Sequence, residues 1–99
     1  MRLSKEYISA IKSSIYEFLP EAEIFLYGSR VDESKKGGDI DLLIKVAKEP
    51  ERSIKSQIRT RIFSKLGEQK IDILYKSPET NSSFINLIEL DAVPLTSND

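Results

Sequence analysis

Hydrophobic residues recur at three- and four-residue steps in three segments, and each of these segments is predicted to be a helix. The first runs from Ser4 to Leu19, with Ser4 as a candidate N-cap and Pro20 as the residue that stops it. The second runs from Ser53 to Leu66, where apolar residues return every four positions. The third is short, from Phe84 to Leu90. Each pattern leaves one apolar side available for packing against a core.

Three shorter apolar segments predict strands at Glu23–Tyr27, Ile40–Val46 and Ile71–Tyr75. The resulting order, α-β-β-α-β-α, contains a strand-helix-strand unit that forms a right-handed crossover if its strands are parallel. We therefore expect an α/β (α+β) fold, with a small mixed β-sheet of three or more strands and helices packed mainly on one face. Residues 1–95 are expected to form a single domain, and residues 96–99 a loose tail.

The composition limits the chemistry that the chain can perform. Hydrophobic residues make up 39% and charged residues 31%, which is ordinary for a folded domain and unlike a disordered chain. The sequence has no cysteine and no histidine, which excludes Ser-His-Asp and Cys-His catalysis within the chain and every His- or Cys-ligated metal site. Catalysis would therefore depend on carboxylates, lysines, hydroxyls or ions bound by oxygen ligands.

Charge and hydropathy also limit the expected partners. A formal net charge of −1 provides no overall attraction to nucleic acid, so direct nucleic-acid binding is not expected. No segment approaches the ~20 apolar residues that a membrane helix needs. We expect no membrane association, and a cytoplasmic location as the default.

Two acidic residues stand at the start of the second predicted strand. Asp39 and Asp41 are two positions apart, so the alternation of a strand places both carboxylates on the same face. Two like charges held close together are unfavourable unless water or a cation compensates, and Mg²⁺ is the ion that such pairs commonly hold together with phosphates. The simpler interpretation of this motif alone is a solvated strand end.

Two further features change the balance between these interpretations. Gly28-Ser29 ends the first predicted strand, where a sharp turn can bring backbone N–H groups to a phosphate. Asp72 lies between two isoleucines in the third predicted strand, and a charge there requires a water-facing sheet edge or a charged partner. If the second and third strands are neighbours, Asp72 can join Asp39 and Asp41 in a site for two divalent ions.

The second predicted helix carries a local excess of positive charge. A solvated polar face explains this excess most simply, whereas the functional alternative is a docking face for an acidic partner or for RNA. The residues concerned are Arg52, Lys55, Arg59, Arg61 and Lys65.

Together, these motifs resemble the DNA polymerase β-like nucleotidyltransferase superfamily, in particular its minimal nucleotidyltransferase (MNT) branch. The resemblance spans nearly the whole chain and implies the palm-like nucleotidyltransferase fold. The family pattern is an apolar strand with Gly-Ser, then Asp-hydrophobic-Asp in a second strand, then a third carboxylate. The matching segments are Leu26-Tyr27-Gly28-Ser29-Arg30, Gly38-Asp39-Ile40-Asp41-Leu42-Leu43-Ile44 and Ile71-Asp72-Ile73.

The resemblance also implies a role for each matching residue. Gly28, Ser29 and Arg30 would bind the nucleoside triphosphate, which is expected to be ATP. The two aspartates of the Asp-hydrophobic-Asp motif, Asp39 and Asp41, would bridge two Mg²⁺ ions. Asp72 would complete the catalytic metal site and help to activate the attacking hydroxyl group.

MNT proteins of this size resemble the antitoxins of toxin–antitoxin pairs, whose partner is a HEPN-type RNase toxin. The chain is expected to leave no residues for an acceptor-binding domain. The expected function is therefore Mg²⁺-dependent transfer of AMP from ATP to a tyrosine hydroxyl of that partner. An alternative is an antitoxin that neutralises its partner by binding alone. This alternative is motivated by Asp32-Glu33 and Gly38, where many relatives have Arg-Gly and serine. A third possibility is an RNA end or a small molecule as the acceptor.

Overall fold

A computed structural model describes residues 3–28 and 39–95 of the chain. Within these residues the order of elements agrees with the predicted α-β-β-α-β-α arrangement, and every predicted helix and strand is present, with ends that differ by no more than one residue. One element, a short final strand, was not predicted. The elements are α1 (Lys5–Phe18), β1 (Glu23–Tyr27), β2 (Ile40–Lys45), α2 (Arg52–Leu66), β3 (Ile71–Lys76), α3 (Ser83–Asp91) and β4 (Val93–Pro94).

The described strands form one mixed sheet in the order β3-β2-β1-β4. β1 is antiparallel to both β2 and β4, whereas β2 and β3 are parallel and are connected through α2. The predicted mixed sheet is therefore confirmed. β4 escaped prediction because it has two residues, one of them Pro94, and proline is tolerated only at the edge of a sheet.

The main core lies between α1, α2 and one face of the sheet. On the helices, isoleucines at three- and four-residue steps point inward, and on the strands every second residue does the same. Full burial of each such side chain contributes about 1.5–3 kcal/mol relative to leaving it exposed. The residues involved are Ile8, Ile11 and Ile15 of α1, Ile58 and Ile62 of α2, and Ile24, Leu26, Ile40, Leu42 and Ile44 of β1 and β2.

Helix α3 lies on the opposite face of the sheet, so the prediction of helices mainly on one face holds for α1 and α2. Glu89 of α3 forms ion pairs with Lys45 of β2, at 2.7 Å, and with Lys76 of β3. Both lysines alternate along their strands with core residues, and their side chains therefore point away from α1 and α2. Leu43, on the same face as Lys45, is completely buried.

Serine hydroxyls cap two of the helices. Ser4 Oγ accepts a hydrogen bond from the Tyr7 N–H at 3.2 Å, as predicted for the start of α1. Ser82 Oγ accepts one from the Ile85 N–H at the start of α3. Among residues 3–28 and 39–95, no helix combines the length and the apolar character needed to span a bilayer.

The ion pairs of Glu89 predict a pH-dependent component of stability. Hydrogen bonds from Lys45 and Lys76 lower the pKa of Glu89 to about 2. A carboxylate whose pKa is lower in the folded state stabilises the fold fully above its unfolded pKa, and this stabilisation is lost as the pH falls towards the folded value. Urea denaturation should therefore show that the free energy of unfolding of wild type falls between about pH 4.5 and pH 2. Glu89→Gln should lack most of this stabilisation already at neutral pH, so its free energy of unfolding should fall less over the same range.

Asp91→Asn is the matched control for this prediction, because Asp91 is an exposed carboxylate on the same helix. It should reproduce the wild-type pH profile. Equal profiles for wild type and Glu89→Gln would show that the ion pairs do not hold α3 on the sheet.

Candidate active site

The parallel register of β2 and β3 brings two of the three predicted catalytic aspartates together. Asp41 and Asp72 are direct register partners. Their side chains lie on the same face of the sheet, opposite α1 and α2, because Ile40 and Leu42 on either side of Asp41 are completely buried in the core. Asp72 is exposed, whereas Asp41 is partly buried.

The electrostatics of this pair favour a bound cation. Burial raises the pKa of Asp41, and the negative charges of Asp72 and Asp39 raise it further, opposed only in part by Lys70. Burial also raises the pKa of Tyr27, and the negative charges of Asp41 and Asp72 raise it further. The ionised carboxylates thus destabilise one another, and a positive ion placed between them would remove that cost.

Asp39 lies immediately before β2 and has a different neighbour. Its Oδ2 atom is 3.6 Å from the Nζ atom of Lys70, the residue that precedes β3. Within the part of the chain that the structure describes, no group of three acidic side chains is placed to hold one metal ion in common. Asp39 therefore contributes charge to the site, while Asp41 and Asp72 form its closest pair.

Gly28 is positioned directly against Asp41. Its φ angle is +82°, a conformation that residues with a Cβ atom rarely adopt. A Cβ atom at this position would lie 2.4 Å from Asp41 Oδ2, far inside contact distance. Both the positive φ angle and the close approach of Asp41 therefore require glycine at the end of β1. The turn at Gly28 lies directly against the Asp41 carboxylate, as the predicted site requires.

Several residues of the predicted site fall outside the described residues. Ser29 and Arg30, predicted to bind the triphosphate, lie there, and so do Asp32, Glu33 and Gly38, the positions that depart from the family pattern. Their predicted roles remain predictions.

Sequence reasoning missed two residues next to the carboxylates. Tyr27 is the register partner of Asp41 on the antiparallel side, and its ring therefore shares the face of the site. Lys70 reaches Asp39 because the register pairs Ile40 with Ile71, one position further along each strand. Only the strand register could have identified either residue, and register cannot be read from these short strands alone.

The side chains present fit a hard divalent cation. Asp41 and Asp72 offer carboxylate oxygens side by side, with a third carboxylate at Asp39, and Mg²⁺ prefers such oxygen ligands. The mutual charge repulsion of the aspartates is the second feature that suits a cation. Asp41 and Asp72 would hold the ion, and the predicted role of Asp39 as a third ligand remains a prediction.

The repulsion predicts that removing one carboxylate stabilises the metal-free protein. Because the pKa of Asp41 is raised in the fold, its ionised form opposes folding at neutral pH. Thermal denaturation in EDTA should therefore give a higher Tm for Asp41→Asn than for wild type. Added Mg²⁺ should raise the Tm of wild type but not that of Asp41→Asn. Asp91→Asn removes an exposed carboxylate that is not one of the three predicted aspartates, and it should behave as wild type. A lower Tm for Asp41→Asn in EDTA would contradict the electrostatic argument.

The contact between Gly28 and Asp41 predicts a difference between two glycine variants. Gly67, after α2, also has a positive φ angle, +76°, but a Cβ atom there meets nothing within 4 Å. Gly28→Ala and Gly67→Ala should both lose about 1–2 kcal/mol through backbone strain. Only Gly28→Ala should also lose the Mg²⁺-dependent rise in Tm, because it displaces the Asp41 carboxylate. Equal Mg²⁺ responses in the two variants would contradict this prediction.

Comparisons with known proteins agree with this geometry. The model of the nucleotidyltransferase domain family matches residues 8–96. A solved structure of tri-AMPylated Shewanella oneidensis HEPN toxin in complex with MNT antitoxin contains a chain with the same fold, at a TM-score of 0.66 and 16% identity, covering 93% of this chain and 71% of the other. No curated protein matches the sequence significantly. With the family pattern extending over nearly all of its length, the chain belongs to the nucleotidyltransferase domain family.

Proposed function

We propose that this protein is a Mg²⁺-dependent adenylyltransferase that transfers AMP from ATP to a hydroxyl group of a partner protein. The observation that carries the proposal is the pairing of Asp41 with Asp72 beside the glycine turn at Gly28, in a chain of the nucleotidyltransferase family. Paired carboxylates next to a phosphate-binding turn are what phosphoryl and nucleotidyl transfer require, because such transfer depends mainly on positioning and charge stabilisation.

The side chains have distinct tasks in this proposal. The turn at Gly28 would place the triphosphate next to Asp41, with Ser29 and Arg30 completing the phosphate site. Asp72 is exposed and would accept the proton of the attacking hydroxyl group. The hydroxyl oxygen then bonds to the α-phosphorus of ATP, the bond from that phosphorus to the bridging oxygen breaks, and pyrophosphate leaves. Bound Mg²⁺ would supply positive charge for the triphosphate.

A HEPN-type toxin is the partner that we propose, with this protein as its antitoxin and a toxin tyrosine as the acceptor. Support comes from the fold shared with the complex of a tri-AMPylated HEPN toxin and an MNT antitoxin. The described residues form one sheet with its helices, and in the proposal a second protein presents the acceptor. A phenolic hydroxyl presented by that protein would approach the exposed Asp72.

The decisive experiment combines this protein with a candidate HEPN-type toxin from the same genome, in the presence of ATP and Mg²⁺, and measures the intact mass of the toxin. We expect the toxin to gain the mass of one or more AMP units with wild type. Asp41→Asn should reduce the rate by at least about 10²-fold, as is typical when a catalytic acid–base group is removed. Asp91→Asn should keep the wild-type rate. An unmodified toxin with every variant would contradict the proposal.

One observation favours a second function, neutralisation by binding alone. Asp39 pairs with Lys70, and no three-carboxylate cluster forms among the described residues. If binding alone neutralises the toxin, the double variant Asp39→Ala/Asp41→Ala will still protect cells that express the toxin. Loss of protection, with the double variant still folded and still bound to the toxin, would support catalysis instead.

A further inference from the structure

The outer edge of β3 carries unpaired backbone groups. β3 is the last strand on its side of the sheet, and no described residue forms a strand beside it. The carbonyl oxygens of Lys70 and Lys76 accept hydrogen bonds from the β2 side, at 3.1 and 2.8 Å. Since backbone groups alternate in direction along a parallel strand, Ile71, Ile73 and Tyr75 direct their N–H and C=O groups outward.

Arg59 of α2 occupies one of these outward positions. Its Nη1 atom donates to the carbonyl oxygen of Ile71 at 2.7 Å, which independently confirms the outward direction. Charged side chains often protect an open edge against aggregation, and Arg59 serves that purpose at Ile71. It leaves the outward groups of Ile73 and Tyr75 unpaired among the described residues, and these two positions are where another strand can form hydrogen bonds.

A groove of about 470 Å³ runs along this open edge between α2 and α3. One wall is cationic, with Arg52, Lys55 and Arg59 of α2. Glu49 at the rim pairs with Lys55 and so compensates only one of the three positive charges. The other wall is apolar and is formed by Ile85 of α3, with Leu74 of β3 on the floor.

Tyr75 contributes an unsatisfied hydrogen-bonding group to the floor of the groove. Its hydroxyl is buried and has no hydrogen-bond partner among the described residues. Burial raises the pKa of Tyr75 to about 12, so the hydroxyl stays protonated at neutral pH and can act as a donor. The ammonium group of Lys55 lies 5.0 Å from the centre of the same ring. An acceptor atom entering the groove would satisfy the Tyr75 hydroxyl.

We propose that the groove is the docking site for an extended acidic segment of the partner protein, which adds to the sheet as a new strand beside β3. Its backbone would pair with Ile73 and Tyr75. Side chains of a strand alternate in direction, so acidic residues would face Arg52 and Lys55, and the apolar residues between them would face Ile85. Nucleic acid fits less well because the edge offers alternating donors and acceptors, which match a peptide backbone.

The proposal deepens the proposed function and rests on it for the identity of the partner. Asp72 precedes Ile73 on β3 by a single residue, a rise of about 3.3 Å along the strand. A segment paired with Ile73 and Tyr75 therefore runs past the carboxylate that would accept the proton of the hydroxyl group. Docking at this edge would hold the acceptor protein beside the reacting atoms, which is a positioning effect.

The test uses a peptide of about eight residues with alternating glutamate and valine, a length typical of one strand. Hydrogen exchange and amide chemical shifts of the isotope-labelled full chain are measured with up to about 1 mM peptide, which reaches weak binding. We expect slowed exchange at the Ile73 and Tyr75 amides. Methylation of the alternate peptide nitrogens that face β3 should weaken binding by at least about tenfold, because it removes backbone donors.

Two charge variants locate the binding surface. Arg52→Glu reverses a charge in the groove, and it should fold because an acidic residue suits the first turn of α2. It should weaken binding of the peptide by about tenfold or more. Lys65→Glu makes the same charge change on the same helix, outside the groove, and should bind within about twofold of wild type. Unchanged exchange at Ile73 and Tyr75, or equal binding of the methylated peptide, would overturn the proposal.

A single-stranded oligonucleotide of equal charge tests the other class of partner. Tighter binding of the oligonucleotide, with the same two amides affected, would overturn the peptide proposal in favour of nucleic acid. The peptide should also bind Asp41→Asn as tightly as wild type, because docking does not use the carboxylate pair. Docking without AMP transfer would contradict only the proposed function, whereas AMP transfer at the wild-type rate by Arg52→Glu would contradict only the docking proposal.

Discussion

The pairing of β2 with β3 is the constraint on which the site depends. It places Asp41 opposite Asp72 and holds two negative charges side by side at one end of the sheet. Like charges at such positions cost stability unless another interaction compensates. The core offsets that cost, because the same strands bury Ile40, Leu42 and Ile44 completely on the other face.

One face of the sheet forms the core, and the other face carries the candidate site. The face covered by α1 and α2 is apolar and forms the main core. The opposite face carries charges at both ends, with the aspartates at one end and the lysines that hold Glu89 at the other. Helix α3 covers the lysine end through these ion pairs. The carboxylate pair thereby lies on strands whose other face is packed in the core, which suits the positioning role that we propose for it.

Among the described residues, the two edges of the sheet also differ. β1 is covered at its outer side by β4, whose last hydrogen bond runs from the Leu95 N–H to the carbonyl oxygen of Ile24. β3 has no such neighbour among the described residues, and only Arg59 reaches its outward groups. Among the described residues, the strand that supplies Asp72 is therefore also the strand with unpaired outward backbone groups. The carboxylate that we propose as proton acceptor and the proposed docking edge thus belong to one element.

The sequence by itself determined the elements, the family and the identity of the acidic residues. Periodicity located three helices and three strands to within a residue, because the isoleucine spacing of α1 and α2 and the apolar runs of β1 to β3 are strong local signals. The glycine at position 28 and the aspartates at 39, 41 and 72 stood out for a comparable reason, since charge and turn residues are unusual beside buried strands.

Only the tertiary structure decided which of these residues meet. Strand register depends on the packing of whole faces, and a shift of one residue would have turned Asp72 towards the core. Register placed Tyr27 and Lys70 beside the aspartates and left Asp39 with Lys70. Neither the two-residue β4 nor the position of β3 at an edge of the described sheet could be predicted from the sequence. A strand lies at an edge when it has a neighbouring strand on one side only, and the order of strands is decided by the tertiary structure.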